Sequence, residues 1–355
     1  MRRVTKLLAV AASAALALTA CGSSSNSGGS STTTAAPGGS SSSAAKLKVG
    51  MAYDIGGRGD KSFNDSAARG LDKAKSELGV DAKELSASQG ESDADKEARL
   101  KLLAQGGYNP VIAVGFLYGN SLKKVAAQFP KTTFGIIDSV VEGANNVTGL
   151  TFAENEGSYL VGAAAALKNK SGSVGYIGGC LIPLLQKFEA GFTAGAKAVK
   201  PDIKVQVKYL SNPPTCKGFN DTAAGTEAAN GIYDGGADII FAAAGGSGTG
   251  VFQSAKAKNK LAIGVDSDQY QSASPDLQPV IMTSMLKRVD VAVYDFVKSI
   301  KDGSPLTGVQ VFDLSKDGVG YATSGGKVDD IKSKLDAYKQ EIVSGKTKVP
   351  ATPGS

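Results

Sequence analysis

Apolar positions along the chain follow two rhythms. Short apolar runs at 47–52, 111–114, 133–137, 174–177, 205–209, 239–243 and 262–265 have the length and texture of strands covered on both faces. Between them, apolar residues recur at three- and four-residue spacing. Phe63, Ala67, Leu71, Ala74 and Leu78 share one helical stripe, and Gly79 stands where that helix should end. The same spacing predicts helices over 93–104, 121–129, 156–168, 184–199, 222–233 and 248–258. Strands that alternate with helices pair in parallel. The fold class is therefore α/β, with two doubly wound parallel-sheet domains.

The alternation breaks after Asp266. A strand over 280–284 and a helix over 288–300 read as a return to the first domain. Runs at 309–313 and 318–322 read as short strands near a hinge, and 329–344 as a closing helix. The first lobe is thus expected at 46–153 plus 267–303. The second is expected at 154–266 plus 304–345, and 346–355 is a tail.

The start of the chain is of another kind. Residues 1–6 are basic and 7–17 are apolar, too short a run to span a membrane. Leu18-Thr19-Ala20-Cys21 then reads as a lipobox, so 1–20 is a lipoprotein signal peptide and Cys21 the lipidated first residue of the mature chain. A plain secretory signal with an incidental cysteine is the alternative. The stretch 21–45 is rich in Ser, Gly, Thr and Ala, carries no charge and cannot bury a core. It is a flexible tether holding the folded part off the membrane surface.

Composition removes several classes of chemistry. The 355 residues include no histidine, so no Ser-His-Asp or Cys-His arrangement and no His-ligated metal can form. The net charge of +6 comes from lysines spread along the chain, with no basic stripe for nucleic acid. The three cysteines show no metal-ligand spacing. Cys180 and Cys216 are the two in the folded part of an exported chain, and both lie in loops expected at one edge of the second domain. A disulfide between them is expected, against the alternative of two separate thiols.

Candidate binding residues cluster after strands. Asp54, Asp138 and Asp266 each follow an apolar run, and ligands of open α/β sheets bind at carboxyl ends of strands. Each acid also suits a helix cap or a turn. The run from Asp54 to Asn64 adds glycines, the aromatic Phe63 and an amide, a set suited to a small polar molecule with a flat ring. Gly245-Gly246-Ser247-Gly248-Thr249-Gly250 matches neither G-x-G-x-x-G nor G-x-x-x-x-G-K-[ST]. With Asp266 or Asp268 about twenty residues later, it keeps a nucleotide-cofactor enzyme open as a rival reading.

These residues carry a resemblance. Asp54-Ile55-Gly56-Gly57-Arg58-Gly59-Asp60-Lys61-Ser62-Phe63-Asn64 is similar to the signature of the basic membrane protein family of bacterial surface lipoproteins. These are substrate-binding components of ABC importers, and characterised members bind purine nucleosides. Glu156-Gly157-Ser158-Tyr159-Leu160, Phe188-Glu189-Ala190-Gly191-Phe192, the 244–252 loop and Gly264-Val265-Asp266 follow in the family's order. The resemblance runs from about 46 to 344 and implies a type I periplasmic-binding-protein fold with a multi-crossover hinge.

It also implies residue roles. Phe63 stacks on the base, Asn64 bonds it alongside, and Asp138 accepts from base nitrogens. Asp266 grips the ribose hydroxyls, helped by Lys287 and by backbone at Gly245, while Asp54 supports the first-lobe side. Phe188 is the second stacking ring, with Phe192 and Phe219 as alternatives. The expected partners are a purine nucleoside and an ABC permease, with a membrane reached through the lipid. The expected protein is a monomer without cofactor or enzymatic activity. A sugar or signalling-molecule receptor and a surface adhesin or sensor remain rivals. Cys180, Cys216 and Tyr53 depart from the commonest family pattern, and Tyr53 is expected at the pocket rim.

Overall fold

The structure is a computed structural model and describes residues 46–354 apart from Gln89. The signal peptide, Cys21 and the tether lie outside the described residues.

The first lobe opens with β1 (Lys48–Ala52), α1 (Phe63–Leu78), β2 (Asp81–Leu85), α2 (Asp93–Gln105), β3 (Val111–Ala113), α3 (Gly119–Gln128), β4 (Phe134–Ile137) and β5 (Val147–Phe152). The second continues with α4 (Glu154–Lys168), β6 (Ser173–Gly178), α5 (Pro183–Val199), β7 (Lys204–Tyr209), α6 (Thr222–Asp234), β8 (Ile239–Ala243), α7 (Gly248–Ala257), β9 (Leu261–Asp266), α8 (Gln269–Ser272) and β10 (Ile281–Lys287). The chain ends with α9 (Val289–Lys301), β11 (Val309–Phe312), β12 (Val319–Tyr321) and α10 (Lys332–Val343).

The strands form two six-stranded sheets, ordered β11-β5-β4-β3-β1-β2 and β12-β10-β9-β8-β6-β7. All pairings are parallel except that of β12 with β10. The two orders repeat each other, so β4 and β9 hold equivalent places, as do β3 and β8. Central strands such as β4 and β8 are buried along their whole length, as their continuous apolar runs require.

The chain passes between lobes after β5, after β10 and between β11 and β12. The strand over 280–284, expected in the first lobe, is β10 and pairs with β9 in the second sheet. Its run Ile-Met-Thr-Ser-Met-Leu-Lys is buried on both faces, a pattern that suits either sheet. The following helix does return, because α9 lays its apolar face on α1. The 309–313 strand, expected near the hinge, is β11 and extends the first sheet beside β5. Two strands escaped the periodicity. The edge strand β2 is Asp-Ala-Lys-Glu-Leu, with no fully buried residue, and β5 is interrupted by Thr148 and Gly149.

In the second lobe, α4 and α5 meet so closely that side chains are excluded. A Cβ on Gly195 would lie 2.0 Å from the Tyr159 carbonyl oxygen, and one on Gly191 would lie 2.1 Å from that of Asn155. Gly195→Ala must push the helices apart, at a cost of about 1–3 kcal/mol. It should lower the urea midpoint and leave ligand affinity within twofold of wild type, since neither Gly195 nor Tyr159 lines the cavity between the lobes. An unchanged midpoint would show that the contact relaxes freely.

Candidate functional site

One cavity lies between the lobes at the carboxyl ends of both sheets. Asp54, Phe63, Asn64, Asp138, Phe188, Gly245, Asp266 and Lys287 all line it. About 70 Å³ is open to the centre of a water molecule, several times the ~10–15 Å³ that one water needs. The sheets explain the convergence. Asp54 lies two residues past β1 and Asp138 directly follows β4, while β9 ends at Asp266 and β10 at Lys287.

Lys287 is the centre of the charge arrangement. Its side chain is 3% exposed. Nζ lies 2.5 Å from Asp138 Oδ2 and 3.7 Å from Asp266 Oδ1, so it is bonded to the first-lobe acid more closely than to the acid it was expected to assist. The rings of Phe63, Phe152 and Phe188 stand 4.7, 5.4 and 5.5 Å from the ammonium. Burial works against this charge, but Asp138, Asp266 and Glu154 outweigh it and hold the ammonium above its ordinary pKa. Burial also raises Asp266, against Lys287 and the Ser62 hydroxyl, which donates to Asp266 Oδ2 at 2.7 Å.

Asp138 and Asp266 share a backbone conformation, each with φ of 63°. This left-handed turn is one that aspartate tolerates better than most residues. Asp138 Oδ2 takes the Lys287 proton donor, while Oδ1 is buried and has no hydrogen-bond partner among the described residues.

The loop after β1 is held by its own polar groups. Asp60 accepts from the backbone N–H of Ser62, Asn64 and Asp65 and so caps α1. The Asn64 amide donates to Ile55 O and Asp60 Oδ2, and its oxygen accepts from Asp54 N–H. Both hydrogens and the oxygen are engaged, so Asn64 shapes the loop in this conformation. Asp54 Oδ1 accepts from Ile55 N–H at 2.7 Å. Burial pushes the Asp54 carboxyl up to about 7, although the Ile55 N–H and Lys96 oppose it.

The aromatic walls differ in part from expectation. Phe63 is half-buried and faces the cavity, whereas Phe188 is 3% exposed and also packs on Phe241 in the second lobe. Phe192 lies in the core against Tyr176 and Phe241, away from the cavity. Phe219 lines the cavity and meets Phe116 of the opposite lobe edge to face, with centroids 6.3 Å apart. Phe116 was not singled out from the sequence. It follows β3 and Gly115, so the strand-end reasoning applied to the acids would have found it. Tyr53 is not at the rim. Its ring is 1% exposed, and its hydroxyl donates to Glu84 at 2.6 Å.

Glu154, also not foreseen, opens α4 at the first crossing between lobes. Its side chain is 1% exposed, with Lys187 Nζ 3.5 Å from Oε2. Burial pushes it up to about 7; Lys287 and Lys187 pull against this, and Asp138 adds to it. A disulfide joins Cys180 to Cys216. Among the described residues no acidic or cysteine cluster is arranged to hold a metal ion, and no helix is long and apolar enough to cross a membrane.

Residues 46–353 match the family model described as Bmp, ABC transporter substrate-binding protein PnrA-like. The CD4+ T-cell-stimulating antigen of Listeria monocytogenes is 36% identical over 86% of this chain and 88% of its own length. The ABC transporter nucleoside-binding protein BmpA of Lactococcus lactis is 34% identical over 86% and 89%. Among solved structures, an ABC transporter solute-binding protein of Aeropyrum pernix superposes with a TM-score of 0.74 at 28% identity, over 87% of this chain and 94% of that one.

The buried acids set a pH dependence. Glu154 binds its proton more tightly folded than unfolded, so its ionisation opposes folding. Its contribution is present at low pH and is lost as pH rises from its ordinary 4.5 through about 7. Asp54 acts in the same direction. The wild-type urea midpoint should therefore fall between about pH 5 and pH 8. Glu154→Gln should flatten that fall, matching wild type at the acid end and exceeding it at the basic end. Parallel profiles would remove Glu154 from the account.

Proposed function

The chain belongs to the Bmp family of PnrA-like ABC transporter substrate-binding proteins, and on that premise we propose that it binds a purine nucleoside between its lobes and delivers it to a membrane permease. The observation that carries this reading is the pairing of aromatic walls with unsatisfied acid at one end of the same cavity. Phe63 and Phe219 offer flat apolar faces to a base. Asp138 Oδ1 offers a buried acceptor that lacks a donor, and a base N–H or ribose O–H supplies one. Asp266, with one oxygen taken by Ser62 and the other toward Lys287, is the acid assigned to the ribose. Gly245, with φ of 54°, brings bare backbone to the cavity wall.

The reading includes an anchor. Lipidation at Cys21 tethers the receptor to the outer face of the membrane, near the permease. Intact mass and detergent partitioning of the mature protein test it. Acyl groups on a chain beginning at Cys21, absent from Cys21→Ser, are expected, and cleavage elsewhere without lipid would remove the anchor.

Mass spectrometry of small molecules released from the denatured, freshly purified protein should show a purine nucleoside; a sugar there would overturn the base assignment. By calorimetry, Phe63→Ala should weaken nucleoside binding by roughly 1–3 kcal/mol through lost stacking. Asp266→Ala should bind at least about tenfold more weakly, since hydrogen bonds to a charged group contribute about 1.5–3 kcal/mol. A 2′,3′-dideoxynucleoside should bind wild type far less well than the ribonucleoside. Equal affinity for the two would strike Asp266 from the ribose site.

A further inference from the structure

Phe219 reaches the cavity from the end of a mostly exposed loop. Residues 212–215 ahead of it are exposed, as is Lys217. Cys216 is the buried residue in this stretch, 2% exposed, and its φ of 42° is a left-handed conformation that a free chain leaves readily. The Phe219 ring packs directly against Gly179, where an added Cβ would meet ring carbons at 2.5 Å. The disulfide connects the residue after Gly179 to a residue three positions before Phe219. Both ends of the bond therefore flank the seat of the ring.

We infer that the Cys180–Cys216 disulfide is a positioning element of the binding site: it fixes Phe219 on Gly179 so that the ring meets the ligand and Phe116 across the cleft. The local hydrogen bonds do not replace it. Ser211 Oγ donates to Gly179 O at 2.6 Å and accepts from Gly218 N–H at 3.0 Å, which holds the backbone beside Gly179. Ser247 Oγ donates to Gly218 O at 2.9 Å at the same end of the loop. Cys216 N–H donates to Asn212 O at 3.3 Å inside the loop, so of these contacts the disulfide is the one that ties Cys216 to the backbone beside Gly179. Without the disulfide this loop gains conformations in which the ring leaves Gly179, and the ligand must order it again on binding. The inference rests on the reading that an aromatic ligand occupies the cavity.

The test is a double-mutant cycle on the full mature protein, with adenosine, inosine and guanosine as probes. Cys180→Ser/Cys216→Ser should weaken binding about fivefold or more in the wild-type background and less than about twofold when Phe219→Ala is also present, the non-additivity expected of groups acting through one another. Equal losses in both backgrounds, or none in either, would overturn the inference. Gly179→Ala keeps the disulfide but lifts the ring from its seat, and should reproduce the loss seen in Phe219→Ala. Full affinity in Gly179→Ala alongside a loss in Phe219→Ala would overturn it as well. If none of the three nucleosides binds wild type, the nucleoside reading falls by itself, and positioning is then read from amide exchange. Protection over 211–221 should drop in the double serine variant of the ligand-free protein, and unchanged protection there would overturn it.

Discussion

The arrangement depends on one buried ammonium. Lys287 stands where the second sheet ends and the chain turns back to the first lobe, and it is almost wholly removed from water. A charge in that position is tolerable only with close counter-charges. Those charges come from separate parts of the chain: Asp138 from the first sheet, Asp266 from the second and Glu154 from another crossing. The lobes are joined by more than covalent strands, because each places an acid against the same cation. Burial drives Asp266 and Glu154 toward holding protons, with Asp138 adding to it and Lys287 pulling the other way.

Much of this was visible along the chain, for a reason that belongs to parallel sheets. Central strands buried on both faces read as unbroken apolar runs, and their carboxyl ends point to one side. Asp54, Asp138 and Asp266 could therefore be located before any fold was known, and Lys287 through the family resemblance. The glycine-rich loop at Gly245 had its place for the same reason. All of them line a single cavity.

What was not visible depends on the third dimension. An apolar strand suits either sheet equally, so β10 was placed in the first lobe although it pairs with β9. The edge strand β2 lacks a buried face and carries no periodic signal. Whether an amide faces a ligand or its own loop is decided by neighbours, and Asn64 turns to Ile55, Asp60 and Asp54. Aromatics gave the same difficulty. Phe188, Phe192 and Phe219 are alike as letters, yet Phe192 lies in the core and Phe219 crosses the cleft to Phe116.

The orphan oxygen of Asp138 has a bearing on information as well as affinity. A buried acceptor without a donor costs about 1–3 kcal/mol relative to one in water or one that is bonded. Water admitted to the cavity can supply that donor, so a ligand that donates to Asp138 Oδ1 must match the water it displaces. A ligand group that cannot donate there leaves the acceptor bare and carries the penalty, so one oxygen sorts candidate cargoes by whether they bring a hydrogen to it.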